Sequence, residues 1–173
     1  MVPQPIKIRW INPIGISDYD QAMATLIGEI KAPSTEVELV SLAMKHSPHD
    51  LEYRTYEGLV TADVVRVTRD AAVNGFDGVV IACFYDVALA EAREISGDAV
   101  VVAPCQASVN LVTQLANKFS VIVGRRKWID QMETTIWNYG YQRELVSLRP
   151  VGLRVEEFQQ DPEKTKQLLF EQA

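Results

Sequence analysis

GVVIACFYD, Gly78 to Asp86, runs four apolar residues into a cysteine and then breaks off in an aromatic pair and an aspartate. A short apolar run without alternation reads as a strand buried on both faces, the kind found inside helix-covered parallel sheets. The thiol at its end has two readings. Cysteine is a small, commonly buried residue and can be core filling. The carboxyl end of a strand in an open α/β sheet is also where ligands bind, so Cys83 can equally be a working group.

The pattern extends outward in both directions. Upstream, Val60, Val64, Val67 and Ala71 mark one helical face closed by Asn74-Gly75. Before it, residues 45–56 are polar and irregular, hold His46 and His49, and predict a long loop. Residues 37–42 read as a strand, and Met23, Leu26, Ile27 and Ile30 place a helix over 18–30, with Ser17 or Asp18 able to cap it. Residues 6–11 alternate as a first strand that stops at Asn12-Pro13. Downstream, a helix is expected over about 86–95, a buried strand over 99–103 and a helix over 106–117. A strand over 119–123, a helix over 128–139 and a strand near 145–148 follow. Asp161-Pro162 caps and opens a last helix. Strands alternating with helices predict an α/β protein: a parallel, flavodoxin-like sheet flanked by helices.

Composition narrows the function. A chain of 173 residues with 47% hydrophobic side chains can build a sizeable core. Its net charge of -6 and lack of a basic stripe argue against nucleic acid. No apolar run nears the roughly 20 residues a membrane span needs, and the N-terminus carries no signal-peptide pattern. Two cysteines without framework spacing suit a reducing compartment. The expectation is a cytoplasmic protein whose partner is a small molecule.

At the carboxyl edge of a parallel sheet the sequence places Asn12, Cys83 and Gly124, with Cys105 just past the fourth strand. Asp86 is positioned to cap the helix after Cys83, which would set the thiol beside a helix N-terminus and favour thiolate. The charge of Asp86 opposes this, and the sign stays open. Cys105 follows Pro104 at a helix opening and leans towards a structural role. His46 and His49 are acid–base candidates, though loop histidines are usually solvated. No cluster has metal-ligand spacing, and no GxGxxG or GxxxxGK[ST] occurs, so neither metal nor nucleotide cofactor is expected. Arg125-Arg126-Lys127 is an anion-binding candidate or plain surface, and the aromatic face from Trp128 to Tyr139 reads as core.

Certain of these residues are similar to the Asp/Glu/hydantoin racemase superfamily, in its hydantoin and allantoin racemase branch. The similarity is carried by Ile11-Asn12-Pro13, by Gly75-Phe76-Asp77-Gly78 and Ile81-Ala82-Cys83-Phe84 with Asp86 and Leu89 in register, and by Ala92-Arg93-Glu94. It continues at Lys118-Phe119-Ser120-Val121-Ile122 and Tyr139-Gly140. The resemblance implies a two-lobed, pseudo-symmetric arrangement, with a first lobe over 1–98 and an incomplete second lobe over 99–173. It implies cofactor-independent racemisation of a cyclic ureide, in which two cysteines work on opposite faces of an acidic carbon next to a carbonyl. Cys83 matches the first of these cysteines, and Asn12, Phe84 and Gly124 are then expected to line the substrate site. The second family cysteine belongs to a later strand, expected beyond Ala173, and Cys105 does not match it. Ile14-Gly15 and Val123-Gly124 stand where relatives carry polar residues. Two alternatives follow: decarboxylation or cis–trans isomerisation of a small dicarboxylate with one cysteine, and a non-catalytic binding or assembly subunit. Leu168, Leu169 and Phe170 at the end of the last helix predict exposed apolar surface or a homo-oligomer there.

Overall fold

In the computed structural model, residues 4–16, 18–42 and 48–173 are described, which leaves His46 and Ser17 outside. The chain divides into two compact units, one reaching through Pro104 and the other Cys105–Ala173. The sequence-derived boundary at 98/99 falls just ahead of the last strand of the first unit.

The first unit holds β1 (Ile6–Asn12), β2 (Thr35–Ser41), β3 (Gly78–Ile81) and β4 (Val100–Val102) in the order β2-β1-β3-β4. Every pairing is parallel. This is the flavodoxin-like order expected from the alternation, with α1 (Asp20–Ile30), α2 (Arg54–Val73) and α3 (Leu89–Ile95) as the crossovers. The register sets Ile11 beside Ile81. Ile11, Val79 and Ile81 are fully buried, as are Val60 and Val64 on α2, which packs on β1 and β3. Each such side chain is worth about 2 kcal/mol of burial, enough to hold the register against slippage. Asn74 caps α2 and Gly75, at φ +73°, takes the left-handed turn that the Asn-Gly pair predicted.

Arg9 is the one basic side chain in the buried part of this unit among the described residues. It reaches Asp70 at 3.0 Å and Glu38 at 3.2 Å, and its guanidinium lies 4.2 Å from the centre of the Phe76 ring. Pairing makes the buried charge tolerable and ties α2 and β2 to the central strand.

Three expectations are corrected. Residues 45–56 are not all loop, because α2 already begins at Arg54. The fourth strand is not buried on both faces: Val101 is enclosed, but Val100 and Val102 are 65% and 38% exposed. β4 pairs only with β3 among the described strands, and that edge position is invisible to local sequence pattern. The N-cap of α1 is Tyr19, without a side-chain cap. The carboxylate of Asp20 instead accepts from Ser41 and Asn12, which sit at strand ends.

The second unit is built from α4 (Pro104–Leu115), β5 (Phe119–Val123), α5 (Ile129–Asn138), β6 (Leu145–Pro150) and α6 (Pro162–Gln172). β5 and β6 pair in parallel. Trp128, Met132 and Ile136 are buried on one stripe, which is the aromatic face read as core. Asp161 caps α6 by accepting from the Lys164 amide at 3.1 Å, with Pro162 in the first turn. Phe170 on α6 is 72% exposed, the apolar surface expected at that end. No helix among the described residues is long and apolar enough to cross a membrane.

Candidate functional site

In the order β2-β1-β3-β4 the chain winds one way from β1 to β2 and the other way from β3 to β4. The carboxyl ends of β1 and β3 therefore flank the switch point, where open α/β sheets bind ligands. Asn12 is the last residue of β1, and the amide of Ala82 donates to the Ile11 carbonyl at 2.9 Å. The residue immediately before Cys83 is thus pinned alongside the end of β1. The fold brings Asn12 and Cys83 to one edge, as expected.

Beyond Ile81 the chain does not enter a helix. The Cys83 amide donates to the Ile81 carbonyl, the Asp86 amide to the Cys83 carbonyl and the Leu89 amide to the Asp86 carbonyl, a succession of tight turns. These turns hold Asp86 and Ala88 at φ +53° and +57°, the left-handed region that costs L-residues about 1–3 kcal/mol each. The expectation that Asp86 caps the next helix is therefore corrected. α3 starts at Leu89 with Ala88 at the cap position. Asp86 is spent on the turn, a position an aspartate tolerates better than most residues.

The sign of the Cys83 shift is now decided. Burial pushes its thiol up to about 12, against a weaker downward pull from the Tyr85 backbone N–H. The carboxylates of Glu57 and Asp86 add to the rise. Cys83 is half-buried, is not in a disulfide, and holds its proton at neutral pH. Tyr85, two residues on, is also shifted upward, first by burial and then by Cys83, Glu57 and Glu52, with Arg54 opposing. Its hydroxyl oxygen is buried and has no hydrogen-bond partner among the described residues.

Asn12 is buried, and its Nδ2 donates to Ser41 Oγ at 2.8 Å and Asp20 Oδ1 at 3.2 Å. Its donor is committed to the fold, while its Oδ1 takes no part in these bonds. Phe84 lies half-buried in the Cys83 turn. Gly124 belongs to the second unit, and a local packing reason accounts for the glycine. A Cβ there would overlap the Trp128 ring and stand 2.6 Å from the Leu153 carbonyl oxygen. Cys105 is fully buried near the start of α4, as its structural reading requires, and His49 is exposed. Among the described residues no group of three or more His, Cys, Asp or Glu side chains could hold a metal ion.

The Asp/Glu/hydantoin racemase family model matches residues 8–173. The chain belongs to that family. Among curated racemases, the chain is 29% identical over 170 residues to the hydantoin racemase of Pseudomonas sp. (strain NS671). The match spans 97% of this chain and 66% of that protein. It is also 29% identical over 126 residues to the hydantoin racemase of Rhizobium meliloti, covering 73% of this chain and 52% of the relative. The chain thus spans less than two thirds of the length of both. Among solved structures, the allantoin racemase from Klebsiella pneumoniae superposes with a TM-score of 0.86 at 23% identity, over 96% of this chain and 68% of that one. That likeness establishes the shared racemase-type fold.

Two residues whose charge or hydroxyl acts on the Cys83 turn escaped the sequence reading. Glu57 falls one helical turn before Val60 on the stripe Val60–Val64–Ala71, so extending the apolar face by three residues would have found it. Tyr85 lies within residues 78–86, but only the tertiary packing reveals a hydroxyl without a partner among the described residues.

Proposed function

We propose that this chain contributes a proton-transferring cysteine to a cofactor-independent racemase or epimerase site for a cyclic ureide of the hydantoin or allantoin type. Cys83 serves as an acid/base at a carbon next to a carbonyl. The observation that carries this reading is a thiol kept protonated at the switch point of the sheet, in a turn with its own strained geometry. Inversion at a carbon acid needs one group that removes a proton and another that returns one from the opposite face. A thiol with a raised pKa is the returning group in the resting protein. When it acts in the reverse direction, its conjugate base is the stronger for being desolvated. The carboxylates of Glu57 and Asp86 favour a neutral ring over a dicarboxylate, which weighs against the decarboxylase and isomerase alternative. Cytoplasmic residence and a homo-oligomer belong to this same proposal, the latter supported by Phe170 exposed on α6.

Deuterium exchange at the substituted carbon of a 5-substituted hydantoin tests it, because exchange needs a proton-transferring group on one face only. The chain should exchange that proton above the buffer rate while the optical rotation changes no faster than in buffer, and Cys83→Ala should lower the excess exchange by about 10³-fold. A chain without exchange above buffer, or a Cys83→Ala variant that exchanges as fast, would refute the assignment.

A further inference from the structure

We infer that the Tyr85 hydroxyl is a substrate-binding donor, aimed at the carbonyl oxygen next to the acidic carbon of a neutral ring; the inference rests on the ureide reading above. Tyr85 lies in the same turn as Cys83, and that turn is fixed by the backbone bonds from Cys83 to Ile81 and from Asp86 to Cys83. A group held there and a group held on the Cys83 thiol therefore sit at one edge of the sheet. The hydroxyl is buried without a partner among the described residues, a state native proteins rarely leave unexplained. The Thr68 hydroxyl in the core face of α2 shares it, but Tyr85 alone of the two stands in the turn of Cys83. Burial keeps the phenol neutral, so it can donate. Such a donor is worth most to a carbonyl whose oxygen gains charge as the neighbouring proton leaves.

The surroundings also select the ligand. Around Tyr85 the charged neighbours are Glu52, Glu57 and the Arg54 side chain, and Asp86 joins Glu57 beside Cys83. Three carboxylates face one guanidinium. A carboxylate ligand would be repelled there, whereas a neutral ring offers a carbonyl acceptor to Tyr85 and N–H donors to the carboxylates.

The test is titration calorimetry of the full chain with two ligands, 5-isopropylhydantoin and 4-isopropylimidazolidin-2-one. The second ring lacks the carbonyl beside the substituted carbon. Wild type should prefer the hydantoin by about 10-fold, the worth of one hydrogen bond, and Tyr85→Phe should lose that preference. The thermal midpoint of Tyr85→Phe should not fall, because the variant removes an unpaired hydroxyl and leaves the ring in place. A Tyr85→Phe protein that keeps the preference, or that fails to fold, overturns this inference alone when the wild type binds. A wild type that binds neither ring overturns both this inference and the ureide reading.

Discussion

The turns that follow β3 and β5 occupy equivalent places, each at the carboxyl end of a parallel strand, and they are built in opposite ways. After β5, Gly124 is closed over by the Trp128 ring and the Leu153 carbonyl, and its own carbonyl accepts from the Gly152 and Leu153 amides at 2.7 and 3.1 Å. Backbone and side chain occupy the space that a Cβ at Gly124 would need. After β3, the chain instead takes two left-handed residues in three, at Asp86 and Ala88, and holds a half-buried thiol and a hydroxyl without a partner among the described residues. A strand end alone therefore does not make a site. The β3 turn accepts left-handed backbone strain that the β5 turn does not, and such strain concentrates where a protein does chemistry. Each turn holds a buried donor without a partner among the described residues, the Tyr85 hydroxyl in one and the Trp128 indole N–H in the other. The strain and the thiol are what separate them.

Substitutions can break or sharpen this contrast. The largest effect is expected at Gly124, where Gly124→Ala should destabilise the chain by about 3 kcal/mol, measured by urea unfolding, because the methyl has neither space nor a flexible neighbour to displace. A loss below about 1 kcal/mol would mean that the β5 turn is not closed as described. In the β3 turn the sign should reverse. Ala88→Gly relieves a left-handed residue and should raise stability by about 0.5–1 kcal/mol, after the extra flexibility of glycine in the unfolded chain is offset.

An effect of similar size, about 1 kcal/mol between pH 9 and 10, is one of pH. Cys83 has its folded pKa raised from 9.0 to about 12, so its contribution to stability is present below pH 9 and lost as the pH rises towards 12. Wild type should therefore lose stability more steeply than Cys83→Ala between pH 9 and 10 in urea melts. Parallel curves would mean that the thiol is not desolvated.

The features that were legible in the sequence were those specified locally. The βαβ alternation gave the parallel sheet, Asn74-Gly75 ended α2, and Asp161-Pro162 began α6 where expected. Asp86 misled because an aspartate ahead of Leu89 and Ala92 has the pattern of a helix cap, while the chain needs those residues to complete two turns. Val100 and Val102 misled because a strand at a sheet edge has the same composition as a central one. The place of Cys83 just past a strand end was legible, since strand ends are countable. The protonation of its thiol was not, because burial is set by tertiary packing and the Glu57 carboxylate reaches it from α2, more than twenty residues away in sequence.

The central claim is that Cys83 moves a proton at a carbon next to a carbonyl. It is tested most directly by following the carbon-bound proton of a 5-substituted hydantoin by NMR in deuterated water, with wild type and Cys83→Ala side by side. Exchange requires only that a proton be removed and another delivered, so it reads the thiol whether or not the configuration inverts. The account predicts exchange above the buffer rate with wild type, falling to the buffer rate with Cys83→Ala while the variant remains folded. Equal exchange by the two proteins, or none by wild type, would contradict it.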